Sequence, residues 1–332
     1  MAQFEETGPR TPVNEPTRVD KVHPRAKLGK SIRVILIVIM TFIMLFPVIV
    51  MVMTAFKTRV DIITPPPKVL FRPSLEGFLY LLTDRALLTP ANLAAAQANP
   101  GSLSFWQKLA LANGQQITGV SHYVARLKNS VIIAGSSTIL SVILGLFAAY
   151  AFSRFKIAGK DDLLFFILST RMLPGVVVTI PLFLLYKLLG WNDTYAGMII
   201  LYTVFNLSFS VWLLKGFIDE IPVEYEEAAL VDGYTRLQAF FRIVLPQAVN
   251  GIAATTVFCL IFAWNEYAFA LMLTSDNART APPSIATMLG SGGLEWSAIA
   301  AGSLGFLIPV VIVTFVLRDY LLRGVTFGAV RK

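Results

Sequence analysis

Charged residues are scarce in this sequence: they make up 14% of its 332 residues, whereas hydrophobic residues make up 55%. An ordinary soluble domain carries roughly 25% charged residues, so this chain has too few to cover a water-soluble surface. Cysteine is scarcer still, and the single Cys259 excludes an intrachain disulfide. The two histidines, His23 and His122, lie far apart and lack the spacing of a metal site.

The sequence also lacks the motifs of an enzyme. A phosphate-binding loop needs a glycine, four residues and then Gly-Lys-Ser/Thr. The run at 29–31 reads Gly-Lys-Ser but has Pro24 at the position of the first glycine, and Gly159-Lys160 is followed by Asp161. No paired acid, metal cluster or activated nucleophile is recognisable. We therefore predict no catalytic residues, no metal and no cofactor bound by this chain.

Long apolar runs dominate what is present. A helix needs about 20 apolar residues to cross the hydrocarbon core of a membrane, and six runs of this kind follow one another along the chain. We therefore predict an all-α fold, a polytopic membrane helix bundle. Its six transmembrane helices are expected at residues 32–56, 129–153, 162–187, 194–217, 248–273 and 296–322.

Lysine and arginine are distributed unevenly between the loops that join these runs. They cluster before the first run, between the second and third, and after the sixth: Arg18, Lys21, Arg25, Lys27, Lys30, Arg33, Arg154, Lys156, Lys160, Arg318, Arg323, Arg331 and Lys332. Cations concentrate on the cytoplasmic side, so both termini of a multi-pass membrane protein are predicted inside. This flanking pattern explains the net charge of +8. We therefore predict membrane lipid as a partner and no nucleic acid.

Three longer regions are predicted besides the apolar runs and the short loops. Residues 1–31 are polar and proline-rich, which predicts a disordered cytoplasmic tail. Residues 57–128 form an extracytoplasmic segment with short helices expected at 75–82 and 105–113, the second capped by Ser104 or Ser102. Residues 324–332 are predicted to be a cytoplasmic C-terminal tail.

The predicted cytoplasmic loop 218–247 carries the most information. Pro222 can occupy the first position of a helix, and Glu224, Glu226 and Glu227 suit its positive first turns. A bend at Gly233 and a capping box of Thr235 with Gln238 then predict a second helix. Such a rigid pair suits docking into another protein. The alternative is a connector on the lipid surface, which usually carries Lys or Arg, whereas this helix is led by carboxylates.

The same loop resembles the EAA loop of binding-protein-dependent ABC permeases. The spacings match at Glu227, Ala228, Ala229, Gly233, Ile243, Leu245 and Pro246, and Glu226 and Asp232 complete the predicted ATPase-coupling set. Leu45-Phe46-Pro47 with Thr54-Ala55-Phe56-Lys57, and Trp264-Asn265-Glu266-Tyr267, resemble helices of the sugar-type permeases. The segment 324–330 resembles the tail of the smaller, maltose-type permease subunit.

The resemblance implies a permease core of MetI-like fold at 129–323 in a transporter of several parts, located in the bacterial inner membrane. A second permease would form a heterodimer with this chain, two copies of an ATPase would hold ATP and Mg, and an extracytoplasmic binding protein would deliver a sugar or polyol. The coupling helix would sit in a groove of the ATPase, with polar or cationic groups holding Glu227 and Gly233 setting the bend. The chain itself would not be an enzyme.

The outer loop departs from this pattern, because it is longer than in most relatives by about forty residues, at 83–121. These residues would either make an extra contact with the binding protein or be an unconstrained insertion.

Polar residues within the predicted helices are candidates for the solute path, because charge there is costly and often functional. They are Arg171, Pro174, Asn206, Trp264, Asn265 and Glu266. Arg171 would satisfy backbone carbonyls or a carboxylate of the second permease, or act in gating or solute binding. Pro174-Gly175 and Pro181 would interrupt the third helix. The amides and the indole could contact a sugar, or equally join helices.

Two other classes of function remain open at this point, besides a permease for another small solute. A stand-alone secondary transporter would need a coupling-ion site, toward which only Arg171 and Glu266 point. A membrane-embedded enzyme would need catalytic groups that the sequence does not display. Uptake by this chain alone, driven by an ion gradient, would identify the first of these classes.

Overall fold

The computed structural model describes residues 24–66, 68–97, 103–290 and 293–327. The helices are α1 (Pro24–Ala55), α2 (Arg59–Ile63), α3 (Glu76–Leu82), α4 (Pro90–Gln97), α5 (Phe105–Ala112), α6 (Tyr123–Arg154), α7 (Lys160–Ser169), α8 (Gly175–Leu189), α9 (Tyr195–Asp219), α10 (Glu224–Val231), α11 (Arg236–Ala239), α12 (Leu245–Gln247), α13 (Val249–Trp264), α14 (Ala268–Leu273), α15 (Ala281–Ala286) and α16 (Trp296–Phe327). Two antiparallel strand pairs accompany them, β1 (Thr83–Leu87) with β2 (Gln115–Val120) and β3 (Leu289–Gly290) with β4 (Gly293–Leu294). The predicted all-α membrane bundle is confirmed, and the strands found among the described residues are these short pairs.

Four helices of the described residues are long and apolar enough to cross a membrane: α1, α6, α9 and α16. Two bent pairs also qualify when each is taken together, Lys160–Met172 with Gly175–Leu189 and Arg236–Gln247 with Val249–Trp264. The described residues thus contain up to six spans, in agreement with the predicted number. The predicted fifth span, 248–273, is divided into α13 and α14 by a break at residues 265–267.

Several predicted boundaries are wrong by a few residues, because helices continue past the apolar runs that revealed them. Helix α1 begins at Pro24, within the predicted tail 1–31, while residues 1–23 lie outside the described residues. Helix α6 begins at Tyr123, six residues before the predicted 129, and α16 runs to Phe327, into the predicted tail 324–332. Lysine and arginine are good helix formers, so charge at a helix end does not stop the helix. Residues 328–332 lie outside the described residues.

The predicted third span is bent rather than continuous. Helices α7 and α8 meet at an angle of 91°, separated by a 3-10 turn at Thr170–Met172. A proline forces the residue before it out of the helical region, and Leu173 accordingly has φ −73° and ψ 122° before Pro174. Pro181 was also expected to interrupt this span, but it lies inside α8. The loss of one hydrogen bond at Pro181 is therefore tolerated within a helix whose neighbouring turns stay intact.

The chain divides into two units, residues 1–50 and 51–332. In the first, the side chains of residues 31–50 are exposed and mostly apolar. In the second, the closest helix packing is between α6 and α9. A Cβ added at Gly145 of α6 would come within 2.2 Å of the Ser210 Oγ on α9. Small residues allow helix backbones to approach closely in membranes, so this pair fixes the centre of the bundle.

The segment between α2 and α6 folds around the β1–β2 hairpin. Thr83 pairs with Val120 and Leu87 with Gln115, with a bulge between Asp84 and Arg85. The predicted helices at 75–82 and 105–113 are present as α3 and α5, and Ser104 caps the second in a capping box with Gln107. The strands were missed because they are short and pair across about thirty residues of sequence, so no local pattern reveals them.

Helix α3 packs tightly onto the start of α16. A Cβ added at Gly77 would lie 2.6 Å from the carbonyl oxygen of Ser297 and 2.7 Å from that of Ala55. Tyr123, the first residue of α6, donates a hydrogen bond to the Gly302 carbonyl over 2.8 Å. These contacts attach the hairpin segment to the end of the bundle at which α6 begins, opposite the end that carries α10.

Candidate functional site

Helix α10 and the bend after it form the core of the candidate site. The backbone N–H groups of Glu226 and Glu227 both donate to the Val223 carbonyl, over 2.9 and 3.0 Å, so Val223 is the N-cap. Pro222 was expected at the first helical position but precedes that N-cap. Its carbonyl still accepts a hydrogen bond from the Tyr225 N–H over 3.4 Å. The proline therefore leads into the helix without belonging to it.

Gly233 ends α10 with a left-handed residue, as predicted. Its φ is +87°, which only glycine adopts freely. The N–H of Gly233 donates to the Leu230 carbonyl over 3.1 Å, and the N–H of Tyr234 donates to the Ala229 carbonyl over 3.0 Å. This pair of bonds is the Schellman motif, which satisfies carbonyls that a helix end leaves open. The direction in which the chain leaves α10 is therefore fixed by its backbone.

The second helix of the pair begins at the predicted capping box. The Thr235 hydroxyl accepts from the Gln238 N–H over 3.3 Å, and the Gln238 side chain accepts from the Thr235 N–H over 2.8 Å. After α11 the chain continues as a π-helical turn, Phe240–Val244, whose two end residues are buried in a core with Leu214 and Ile218. Both sides of the bend are thus held, one by capping and the other by packing.

Two adjacent glutamates of α10 point in different directions. Glu226 is buried, whereas Glu227 is exposed. One Glu226 oxygen accepts from the Arg154 Nε over 2.5 Å, and the other accepts from the Tyr150 hydroxyl over 2.8 Å. Arg154 also donates to the Ile221 carbonyl over 2.8 Å. We call Tyr150, Arg154 and Glu226 the anchor cluster, because it joins α10 to the last turn of α6.

The sequence predicts only part of the anchor cluster. Glu226 belongs to the predicted coupling set, whereas Arg154 is predicted only as a loop cation and Tyr150 is not among the candidates. A basic residue at the end of one span and an extra glutamate beside the motif were the available signals. They lie 72 residues apart, so nothing local connects them.

The outward surface of α10 combines apolar and acidic side chains around Glu227. Ala228 and Asp232 are exposed, and so are Tyr225 and Val231, at 54% and 87%. Ala229 is buried instead. An exposed apolar surface beside a carboxylate is typical of a protein contact.

The last three predicted coupling residues lie beyond α11. Ile243 and Leu245 are half-buried, and Pro246 is exposed within α12, at a position where its missing N–H costs nothing. The buried positions in this stretch are Phe240 and Val244. The motif residues therefore alternate with the residues that hold the loop to the bundle.

Three of the six solute-path candidates lie together. Arg171, Asn206 and Glu266 line a cavity of about 170 Å³ between the α7–α8 break, α9 and α13. The Arg171 guanidinium lies 4.3 Å from the centre of the Phe262 ring, and its buried Nη1 has no hydrogen-bond partner among the described residues. Within that part of the chain, Arg171 and Glu266 form no ion pair.

Glu266 has a clear structural role at this cavity. It accepts from the Tyr202 hydroxyl over 2.7 Å and from the backbone N–H groups of Phe269 and Ala270 over 2.8 and 3.0 Å. These N–H groups belong to the start of α14, where a carboxylate is favoured. Glu266 thus stabilises the restart of the helix after the break at 265–267.

Asn206, Trp264 and Asn265 each donate a hydrogen bond to a carbonyl of this chain. The Asn206 side chain donates to the Cys259 carbonyl over 3.0 Å, and the Trp264 indole donates to the Phe306 carbonyl over 3.2 Å. Asn265 is exposed and donates to the Ile261 carbonyl over 2.8 Å. Pro174 is exposed at the helix break. Asn206 and Trp264 therefore join helices, which was one of the two readings left open by the sequence.

A further polar cluster, missed from the sequence, lies at the end opposite α10. Asp193 has φ +55°, and its carboxylate accepts from the four backbone N–H groups of residues 275–278 over 3.0–3.1 Å. Burial alone raises the pKa of Asp193, but these hydrogen bonds outweigh it and lower the pKa to about 2. Asp193 thereby ties the α8–α9 loop to the loop after α14.

The family pattern described as "Binding-protein-dependent transport system inner membrane component" matches residues 141–327. This range includes α10, the anchor cluster and the small cavity. The chain belongs to this family. The match begins after the β1–β2 hairpin, so the hairpin segment lies outside it.

Individual family members resemble the chain over nearly its whole length. The trehalose/maltose transport system permease protein MalG of Thermococcus litoralis is 30% identical, over 92% of this chain and 98% of that protein. A probable ABC transporter permease protein of Sinorhizobium fredii, y4oR, is 31% identical over 88% and 92%. Among solved structures, a chain of a bacterial ABC transporter involved in alginate import has a TM-score of 0.63 at 18% identity, covering 90% of this chain and 98% of that chain. It shares the fold.

Proposed function

We propose that this family member is the smaller permease subunit of an ATP-driven importer and forms a path for a sugar or polyol with a second permease. The solute class is supported by the MalG relative, which is named for trehalose and maltose transport. Two copies of an ATPase would bind ATP and Mg, because this chain has no phosphate-binding loop. A binding protein would deliver the solute from outside, and the α10 end would face the cytoplasm, as the loop cations favour.

The observation that carries this proposal is the construction of α10. Its outward surface around Glu227 is free to enter a groove of the ATPase, while its inward side is fixed by the anchor cluster. Movement of the ATPase would push α10 as a rigid body, and the Arg154–Glu226 pair would pass that movement to α6. Since α6 packs on α9 along the bundle, α10 acts as a lever on the spans.

Uptake in liposomes that contain the whole transporter tests the proposal. Glu227→Lys reverses the exposed charge of α10 without touching the anchor cluster, so we expect both ATPase association and ATP-dependent sugar uptake to be lost. Glu224→Lys is the matched control, because Glu224 is also an exposed glutamate of the same helix, and it should retain most uptake. Normal uptake and normal ATPase association in Glu227→Lys would refute the docking role.

A further inference from the structure

A second and larger cavity lies at the end of the bundle opposite α10. Its volume is about 590 Å³, within the range of small-molecule sites. The β1–β2 hairpin, the start of α6, the residues after α15 and the start of α16 enclose it. We call it the hairpin cavity, and its polar lining includes Arg85, Gln115, His122, Arg126, Thr287 and Glu295. Arg126 precedes Arg154 by 28 residues of α6, or about 42 Å at 1.5 Å per residue, so this cavity is far from the anchor cluster.

The charges in the hairpin cavity balance. Its lining holds two guanidinium groups, of Arg85 and Arg126, and two carboxylates, of Asp84 and Glu295. A strongly charged ligand would therefore meet as much repulsion as attraction. An apolar ligand would remove water from these groups without replacing its hydrogen bonds, which is costly.

Three buried atoms of these charged groups lack hydrogen-bond partners among the described residues. The Glu295 side chain is only 3% exposed, and its Oε1 accepts from the Arg59 Nη1 over 3.4 Å, but its Oε2 has no partner. The Nε atoms of Arg85 and Arg126 are buried without partners as well. Buried polar groups are nearly always satisfied, but the described residues leave one acceptor and two donors of these groups without a partner.

We propose that the hairpin cavity binds a neutral, polyhydroxylated molecule with the dimensions of one or two sugar rings. A hydroxyl group both donates and accepts hydrogen bonds, so a set of hydroxyls can satisfy the Glu295 oxygen and the two arginine nitrogens together. The chemical class rests on the proposed function, but the site is separate from the small cavity at Arg171. The hairpin supplies Arg85 and Gln115 to this subsite.

Binding of maltose and trehalose to the purified full-length chain, without ATPase or binding protein, tests the proposal. We expect saturable binding by calorimetry in detergent or nanodiscs. Thr287→Trp places an indole in the cavity from an exposed position and should abolish binding, while Thr118→Trp, on an exposed position of β2 that does not line the cavity, should not. Glu295→Gln keeps the side-chain volume and should weaken binding about tenfold. Unfolding curves of each variant verify that it is folded.

The outcomes separate this proposal from the importer function. The binding assay involves no ATP, so sugar binding can still be measured if Glu227→Lys loses uptake. ATP-driven uptake can likewise still be measured if no sugar binding is found. The proposal is overturned if the wild-type chain binds neither sugar at millimolar concentration, or if folded Thr287→Trp binds them as the wild type does. If sugars do not bind but Thr287→Trp loses the binding protein, the cavity is a protein contact and the proposal is wrong.

Discussion

Each end of this bundle buries a glutamate beside an arginine, but the two carboxylates differ in their hydrogen bonding. At the α10 end, both oxygens of Glu226 are paired, one with Arg154 and one with Tyr150. In the hairpin cavity, one oxygen of Glu295 is paired and the other is not. A carboxylate that is fully satisfied by its own protein can hold an element in place but has little left to offer a ligand. The comparison therefore assigns positioning to Glu226 and ligand binding to Glu295.

The largest effect on stability is expected from breaking the fully paired carboxylate at the α10 end. Glu226→Ala leaves the guanidinium of Arg154 buried without its charge partner, and removing one member of a buried pair costs about 3–5 kcal/mol. Chemical unfolding in detergent should show this loss. Glu224→Ala, at an exposed position of the same helix, should stay within about 0.5 kcal/mol of the wild type. Equal stability of the two variants would mean that the anchor cluster does not hold α10.

The next effect concerns the attachment of the hairpin segment at the opposite end. Gly77→Ala puts a methyl group 2.6 Å from the Ser297 carbonyl oxygen, and such overpacking costs about 1–3 kcal/mol. Because Ser297 follows Glu295 closely in sequence, sugar binding should weaken in parallel. Gly135→Ala in α6 meets no atom within 4 Å and should be neutral or slightly stabilising. A loss of stability with unchanged sugar binding in Gly77→Ala would separate the hairpin cavity from this contact.

Features formed by residues that are close in sequence could be predicted, whereas features formed by distant residues could not. The bend at Gly233 and the Thr235–Gln238 capping box were predictable, because each is formed by residues a few positions apart. The Arg154–Glu226 pair and the β1–β2 pairing were not, because their partners are 72 and about thirty residues apart. The six apolar spans were predictable from length, but the angle of 91° before α8 depends on how Pro174 is accommodated.

A smaller effect is expected from the backbone of the bend. Gly233→Ala forces a Cβ into a left-handed residue with φ +87°, which costs about 1–2 kcal/mol. Nothing lies within 4 Å of the added methyl, so the loss is purely conformational and the anchor cluster should remain intact. Gly216→Ala, in the interior of α9 and also without close neighbours, is the matched control. Thermal unfolding should therefore separate the two variants, and ATPase association should weaken only in Gly233→Ala.

The smallest effect tests whether pairing, rather than position in the bundle, governs these carboxylates. Asp193 lies at the same end as Glu295 but is saturated by the N–H groups of residues 275–278, so it should behave as a positioning group like Glu226. Its pKa in the folded chain is about 2, below the value near 3.9 of an unfolded aspartate. A depressed pKa contributes stability that is complete above pH 4–5 and is lost as the pH falls through about 2.

The difference in Tm between the wild type and Asp193→Asn should accordingly be constant near neutral pH and shrink on acidification below about pH 4. The comparison of two variants cancels the titration of all other groups, which a single pH profile cannot do. Asp276→Asn is the control, because that side chain is 91% exposed and should track the wild type throughout. If Asp193→Asn matches the wild type at neutral pH, the hydrogen bonds to residues 275–278 do not stabilise the fold. Complete pairing would then be an insufficient criterion, and the roles assigned to Glu226 and Glu295 would have to rest on their variants alone.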